Sequence, residues 1–286
     1  MNKTIVLAIY SALLLSCFPL TFATTFSCTH PEICRMARIV LRENHINNIV
    51  LEDMVLPSGD PHEFEPSVQD IKKLLHATNL LVGPLELNPW MKNIAGLRIQ
   101  EKNKIKNKKQ LTYQLTLPNF AISIYPSTEM EALGHFWLYP QIYCHLKSTL
   151  ATILVSKKTL LCQSENIETK LASELKRIKS PIVLTHDALL PLLKKLTANS
   201  NQIMALKGST HHGEVPAKAI KKVYDALKAP KIIWILEDNI ATSENIKNKI
   251  RSTDTIIRID TAKSPDANSD FSLLETFHKK LQEIKE

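Results

Sequence analysis

Between Gln141 and Arg177 the chain offers no apolar strand run, and between Gly134 and Gly208 it has no glycine. Leucines recur there at helical spacing, in "CHLKSTLATILV" and again in "ENIETKLASELKRI". That pattern predicts a helix, a break near Lys157 and then a longer helix. On both sides of this stretch short apolar runs alternate with helical patterns. A strandless, glycine-free middle divides the chain into two α/β lobes joined by a rigid helical connector. A length of 286 residues is enough for each lobe to bury a core of its own.

In the first half, "NNIVLEDMVL" (47–56), "NLLVG" (79–83) and "NFAISIY" (119–125) read as strands. "EPSVQDIKKLLHAT" reads as a helix whose Ser67 and Asp70 have the spacing of a capping box. In the second half "PIVLTH", "KIIWILED" and "DTIIRID" are expected strands. "DALLPLLKKL", "PAKAIKKVYDAL" and the closing "FSLLETFHKKLQEIK" are expected helices. Apolar strands alternating with helices imply parallel sheets covered on both faces. The expected divisions are 1–23 for an export signal, 24–140 for the first lobe, 141–178 for the connector and 179–286 for the second lobe. No internal sequence repeat is evident.

The export signal is read from "MNKTIVLAIYSALLLSCFPLTFA", with an early lysine, an apolar run and a small residue, Ala23, at the cut. "LLSC" is a candidate for lipid attachment at Cys17, but the apolar "FPLTFA" after it argues for cleavage after Ala23. The chain is therefore expected in the periplasm, with a formal net charge of +8 of which Lys3 carries one. The lysine run "KNKIKNKK" has no interleaved aromatics and reads as a solvated loop, so nucleic acid is not an expected partner. Beyond the signal stand Cys28, Cys34, Cys144 and Cys162, which allow two disulfides in three connectivities. "CTHPEIC" could also hold a metal through Cys, His and Cys, although oxidation would remove its thiolates.

The six glycines never stand as GxG, which excludes the usual nucleotide loops, and neither GxSxG nor HExxH occurs. The histidines are more informative. His62 lies in the turn of "GDPHEFEPS" before the capped helix, His135 in "GHFWLYP", and His186 at the end of "PIVLTH". Asp260 ends "DTIIRID". Parallel sheets bind ligands at the carboxyl ends of their strands, where His186 and Asp260 both fall. Such distant residues suit a site assembled between lobes. Imidazole with carboxylate and no thiolate suits Zn²⁺, Mn²⁺ or Fe²⁺ rather than a closed structural zinc site. A histidine at a strand end is more often simply hydrogen-bonded, so spacing alone does not decide the matter.

The flanking residues add to this. "GDPHEFEPSVQDIKKL…NLLVGPLELNPWM", "GHFWLYP", "THDALLPLLKKL" and "GEVPAKAIKKVYDAL…KIIWILEDN…IIRIDTA" together resemble the metal-binding, zinc/manganese-type (cluster A-I) substrate-binding proteins of ABC transporters. The resemblance covers nearly all of the chain after the signal. It implies an α/β fold of two (βα)4-type lobes with parallel sheets joined by a long connecting helix, with one metal in the cleft. The ligands it implies are His62, His135, His186 and Asp260, with Glu214 and Glu237 beside the site rather than on the metal. It also implies a monomer that hands a divalent metal to a membrane permease and catalyses nothing. Gly134 and Tyr139 depart from the family pattern around His135, which leaves that ring to be oriented by other residues. No histidine-rich loop follows the first lobe, which argues against a dedicated zinc scavenger.

His211 and His212 of "STHHGE" could ferry metal at the cleft mouth or simply be solvated. His76, His145 and His278 read as surface or capping residues, and His30 and His45 have no nameable partner. Trp90, Trp137 and Trp234 read as core. The rival function is a secreted zinc-dependent hydrolase with Glu63 or Glu214 as general base. A third reading, a surface attachment protein with incidental metal, has no direct support in the residues.

Overall fold

The computed structural model describes residues 23–54, 65–85, 90–94, 97–98, 110–116, 124–125, 135–156, 162–207, 217–237, 247–261 and 269–285. In chain order these form β1 (Thr24–Cys28), α1 (Pro31–Glu43), β2 (Ile49–Asp53), α2 (Val68–His76), β3 (Asn79–Val82) and β4 (Leu111–Gln114). A short 3-10 turn, Phe136–Leu138, leads into α3 (Pro140–Val155) and α4 (Ser164–Arg177). There follow β5 (Ile182–His186), α5 (Leu190–Leu196), β6 (Ile203–Lys207), α6 (Ala217–Ala226), β7 (Ile233–Glu237), β8 (Thr255–Ile259) and α7 (Ser272–Gln282). Among the described residues no helix is long and apolar enough to cross a membrane.

Two four-stranded sheets result, ordered β2-β1-β3-β4 and β6-β5-β7-β8, and every pairing is parallel. The two halves thus repeat one topology that no sequence repeat announces. Alternation along the strands explains how each sheet is covered. Ile233 and Ile235 face the large central core, while Trp234 and Leu236 face a smaller cluster with Val223 and Ala226 of α6. In the first sheet Leu81 faces the central core, and Leu80 and Val82 face Leu74 of α2. The central core is continuous from Phe26 and Ile33, through Leu146 and Leu150 of α3, to Leu184 and Phe277.

The connector is a pair of helices of similar length, and α4, expected to be the longer, is the shorter at 14 residues against 16. Cys144 of α3 is bonded to Cys162 just before α4, and Cys28 is bonded to Cys34 across the start of α1. Of the three connectivities open to four cysteines, this is the one that joins sequence neighbours. At one face of the connector Lys147, whose side chain is wholly buried, reaches Asp270 Oδ2 at 2.6 Å and Glu43 Oε1 at 2.9 Å. Tyr143 donates to the other oxygen of Asp270 at 2.9 Å, and Arg35 donates to Ser269 O at 2.7 Å. This cluster ties α1, α3 and the start of α7 together.

The capping box at Ser67 and Asp70 is formed as expected: each side chain accepts from the other's backbone N–H. The strand expected at 119–125 falls mostly outside the described residues, and Ile124 and Tyr125 are not extended.

Candidate metal centre

In an order of second, first, third and fourth strands, the chain changes direction between its first and third strands. In parallel sheets such a reversal makes a crevice at the carboxyl ends of the strands, where ligands bind. In the second sheet these ends are His186, the last residue of β5, and Glu237, the last of β7. Both side chains are buried, and Oε1 of Glu237 lies 3.1 Å from Nδ1 of His186. A carboxylate can only accept, so Nδ1 carries the proton and Nε2 is left with the lone pair. A carboxylate holding the far nitrogen of an imidazole is the usual support of a metal-binding histidine. Glu237 is itself held: its N–H donates to Thr185 Oγ1 at 3.2 Å, and Thr261 Oγ1 donates to its Oε2.

His135 comes from the segment before the connector, just ahead of the 3-10 turn that enters α3. Its buried ring stands edge-on to that of His186, with centroids 5.5 Å apart. It also stands edge-on to the indole of Trp137 at 5.3 Å. Trp137 donates its indole N–H to Thr261 O at 2.8 Å, so the turn bearing His135 is bonded to the residue beside Asp260. Asp260 itself is half-buried and leaves β8 next to this cluster. Tyr139, which stands at a departure from the family pattern, is fully buried and donates to Ala188 O at 2.6 Å, bolting the turn to the segment after His186. Burial pushes the Tyr139 hydroxyl well above its usual pKa, so it stays a donor.

Of the four expected ligands, the structure places His135 beside His186 and Asp260 adjacent to their supports. His62 lies outside the described residues, as do Glu63, His211, His212 and Glu214. Among the described residues no three His, Cys, Asp or Glu side chains converge on one point. His76, His145 and His45 are exposed, and His278 is half-buried, 4.0 Å from Glu174. Two residues carry more than the sequence suggested. Trp137 is core and also the contact of His135, and His30 caps α1 by accepting from Glu32 N at 3.1 Å. The His-Pro step at the start of a helical pattern was the available signal for the cap.

Two parallel α/β lobes with imidazole and carboxylate at the switch point define a binding protein of the two-lobed type. The family model described as "Zinc-uptake complex component A periplasmic" (ZnuA) matches residues 28–286. The chain belongs to this family of metal-binding transport receptors. A search of the curated proteins finds no match. Among solved structures, a mutant of the laminin-binding adhesin Lmb from Streptococcus agalactiae aligns with a TM-score of 0.63 at 16% identity, over 91% of this chain and 99% of that one. The periplasmic zinc-binding protein TroA from Treponema pallidum gives 0.63 at 14% identity, over 90% and 97%. A manganese-bound mutant of a periplasmic metal-binding protein from Candidatus Liberibacter asiaticus gives 0.63 at 17%, over 90% and 98%. At these identities the likeness is one of fold.

Proposed function

We propose that this chain is an extracytoplasmic receptor that captures a divalent transition metal between its lobes and delivers it to an ABC permease for uptake. The organisation proposed is an export signal ending at Ala23, a first lobe to residue 140, a helical connector to 178 and a second lobe beyond. The protein acts as a monomer in the periplasm and turns over no substrate. The metal is cargo, Zn²⁺ or Mn²⁺ foremost and Fe²⁺ after them, since this donor set accepts all three. Its ligands are His62, His135, His186 and Asp260. The observation that supports this most is the His186–Glu237 pair at the switch point, which puts the ring proton on Nδ1 and turns Nε2 toward Asp187 Oδ1 at 3.8 Å, with the ring of His135 5.5 Å away.

A pH titration tests the reading. Imidazole must be neutral to bind metal, and its unperturbed pKa is about 6.5. Protons and metal compete, so affinity is full above that value and falls steeply below it. Three imidazoles should make the fall steeper than first order in proton concentration. Calorimetry in buffers of different ionisation enthalpy should register proton release on binding at mildly acidic pH. An affinity unchanged from neutral to mildly acidic pH would mean that carboxylates dominate the site.

A further inference from the structure

His30 has no part in the coordination proposed above, yet it occupies the counterpart of His186. In the second sheet Thr185 Oγ1 accepts from Glu237 N at 3.2 Å, and His186 follows. In the first sheet Thr29 Oγ1 accepts from Gly83 N at 3.2 Å, and His30 follows. Each histidine therefore stands one residue past a threonine that bonds across the switch point of its sheet. His30 is nevertheless unsuited to hold metal. Its Nδ1 accepts from Glu32 N, so in the neutral ring Nε2 bears the proton and offers no lone pair while the cap stands.

The ring of His30 meets those of Trp137 and, edge-on at 6.2 Å, Phe136. The rings of His30 and Trp137 are stacked, with centroids 5.2 Å apart and planes inclined by 26°. That indole also meets the ring of His135, with centroids 5.3 Å apart and planes inclined by 66°, the ring of Phe136 at 5.1 Å, and Thr261 O at 2.8 Å. His30 is itself immobilised three ways: by its cap bond, by burial to 1% exposure, and by the Cys28–Cys34 bond that closes the loop around it. The rings thus form one series, His30, Trp137, His135 and His186, anchored at one end by α1 and at the other by Glu237.

We propose that His30 is a positioning residue, whose clamped imidazole fixes the Trp137 indole and through it the ring of His135 that binds the metal. This rests on the receptor reading for its effect on affinity, but the positioning itself exists without metal. An imidazole pre-set in its binding rotamer does not lose that freedom when the metal arrives. Loss of a group bonded directly to a ligand typically costs about 10- to 100-fold in affinity, and a support one ring further out is expected at the lower end of that range.

Two substitutions separate the ring from the cap. His30→Asn keeps a good helix cap and removes the stacking ring; His30→Phe keeps a ring and removes the cap. Zinc affinity and apo melting temperature are measured on both, with the His135 ring resonances of the apo protein, which the Trp137 ring current shifts. The expected result is a loss of affinity of about tenfold or more in His30→Asn, with its melting temperature near wild type and the His135 resonances moved. His30→Phe should bind as wild type, melt lower and leave those resonances in place. Wild-type affinity and unmoved resonances in His30→Asn would overturn the proposal, and so would equal losses in both variants, which would assign the effect to local folding. A wild-type protein that binds no metal would defeat the receptor reading, while the resonances would still decide the role of His30.

Discussion

Zinc or manganese at about a thousand times its dissociation constant is expected to stabilise the chain by about 4 kcal/mol. For a chain of this size that is a rise in melting temperature on the order of 10 °C. His62→Ala, His135→Ala and His186→Ala should each lose most of the increment. Because His135 and His186 are buried, their removal lowers the apo melting point as well, so the quantity to compare is the metal-induced rise. Glu237→Gln should lose part of it. Its amide can turn an N–H toward Nδ1 of His186 and move the ring proton to Nε2, the nitrogen proposed to bind the metal. A tenfold to hundredfold weakening corresponds to about 1.4 to 2.8 kcal/mol. Asp260→Ala should cost less than a histidine, since water can replace one oxygen. The exposed His45 serves as control, and His45→Ala should retain the whole rise. A full rise in His186→Ala would remove the basis of the site.

The second large effect concerns the buried cation of the connector. Asp270→Ala leaves the ammonium of Lys147, 0% exposed, with Glu43 alone, and leaves the hydroxyl of Tyr143 without its acceptor. Leaving a buried charge wholly uncompensated costs about 3 to 5 kcal/mol, and with Glu43 still at 2.9 Å the expected cost lies below that range. Lys147→Met should cost less although it removes the centre of the cluster. It takes away the group that most needs compensation, and Glu43 and Asp270, 37% and 18% exposed, can turn to water. Urea unfolding of the two variants decides the order. If Lys147→Met proved the more destabilising, the ion pairs would contribute more attraction than their burial costs.

How much of this was legible in the sequence differs by element. Strands buried on both faces, such as "IVLTH" and "IWILE", show as unbroken apolar runs, and both appear where expected. The strands β1, β4 and β6 were not anticipated. β1, "TTFSC", follows directly on the apolar stretch read as an export signal, and that apolar run obscures its start. β2 was anticipated and β4 was not, although both are edge strands with mixed exposure. β4, "LTYQ", has only two apolar side chains, and its pairing with β3 gives it a structure that its own residues do not announce. β6, "IMALK", has a single β-branched residue, where a strand is usually marked by several.

At the site, His186 and Asp260 were singled out by their strand ends and His135 by its loop, with the family motifs adding weight, while the pair formed by Glu237 and His186 could not be read from residues 51 apart. The role of Trp137 was hidden for another reason. A tryptophan in an apolar stretch looks like core whether or not a histidine leans on it.

Anomalous diffraction from crystals grown with zinc tests the central claim most directly, because it locates the metal without reference to any assigned ligand. The account predicts one fully occupied peak at the carboxyl ends of the strands, about 2.0–2.1 Å from a ring nitrogen of His135 and from Nε2 of His186, with Nδ1 of His186 still held by Glu237. A peak elsewhere, with Nε2 of His186 not bound to it, would contradict the account.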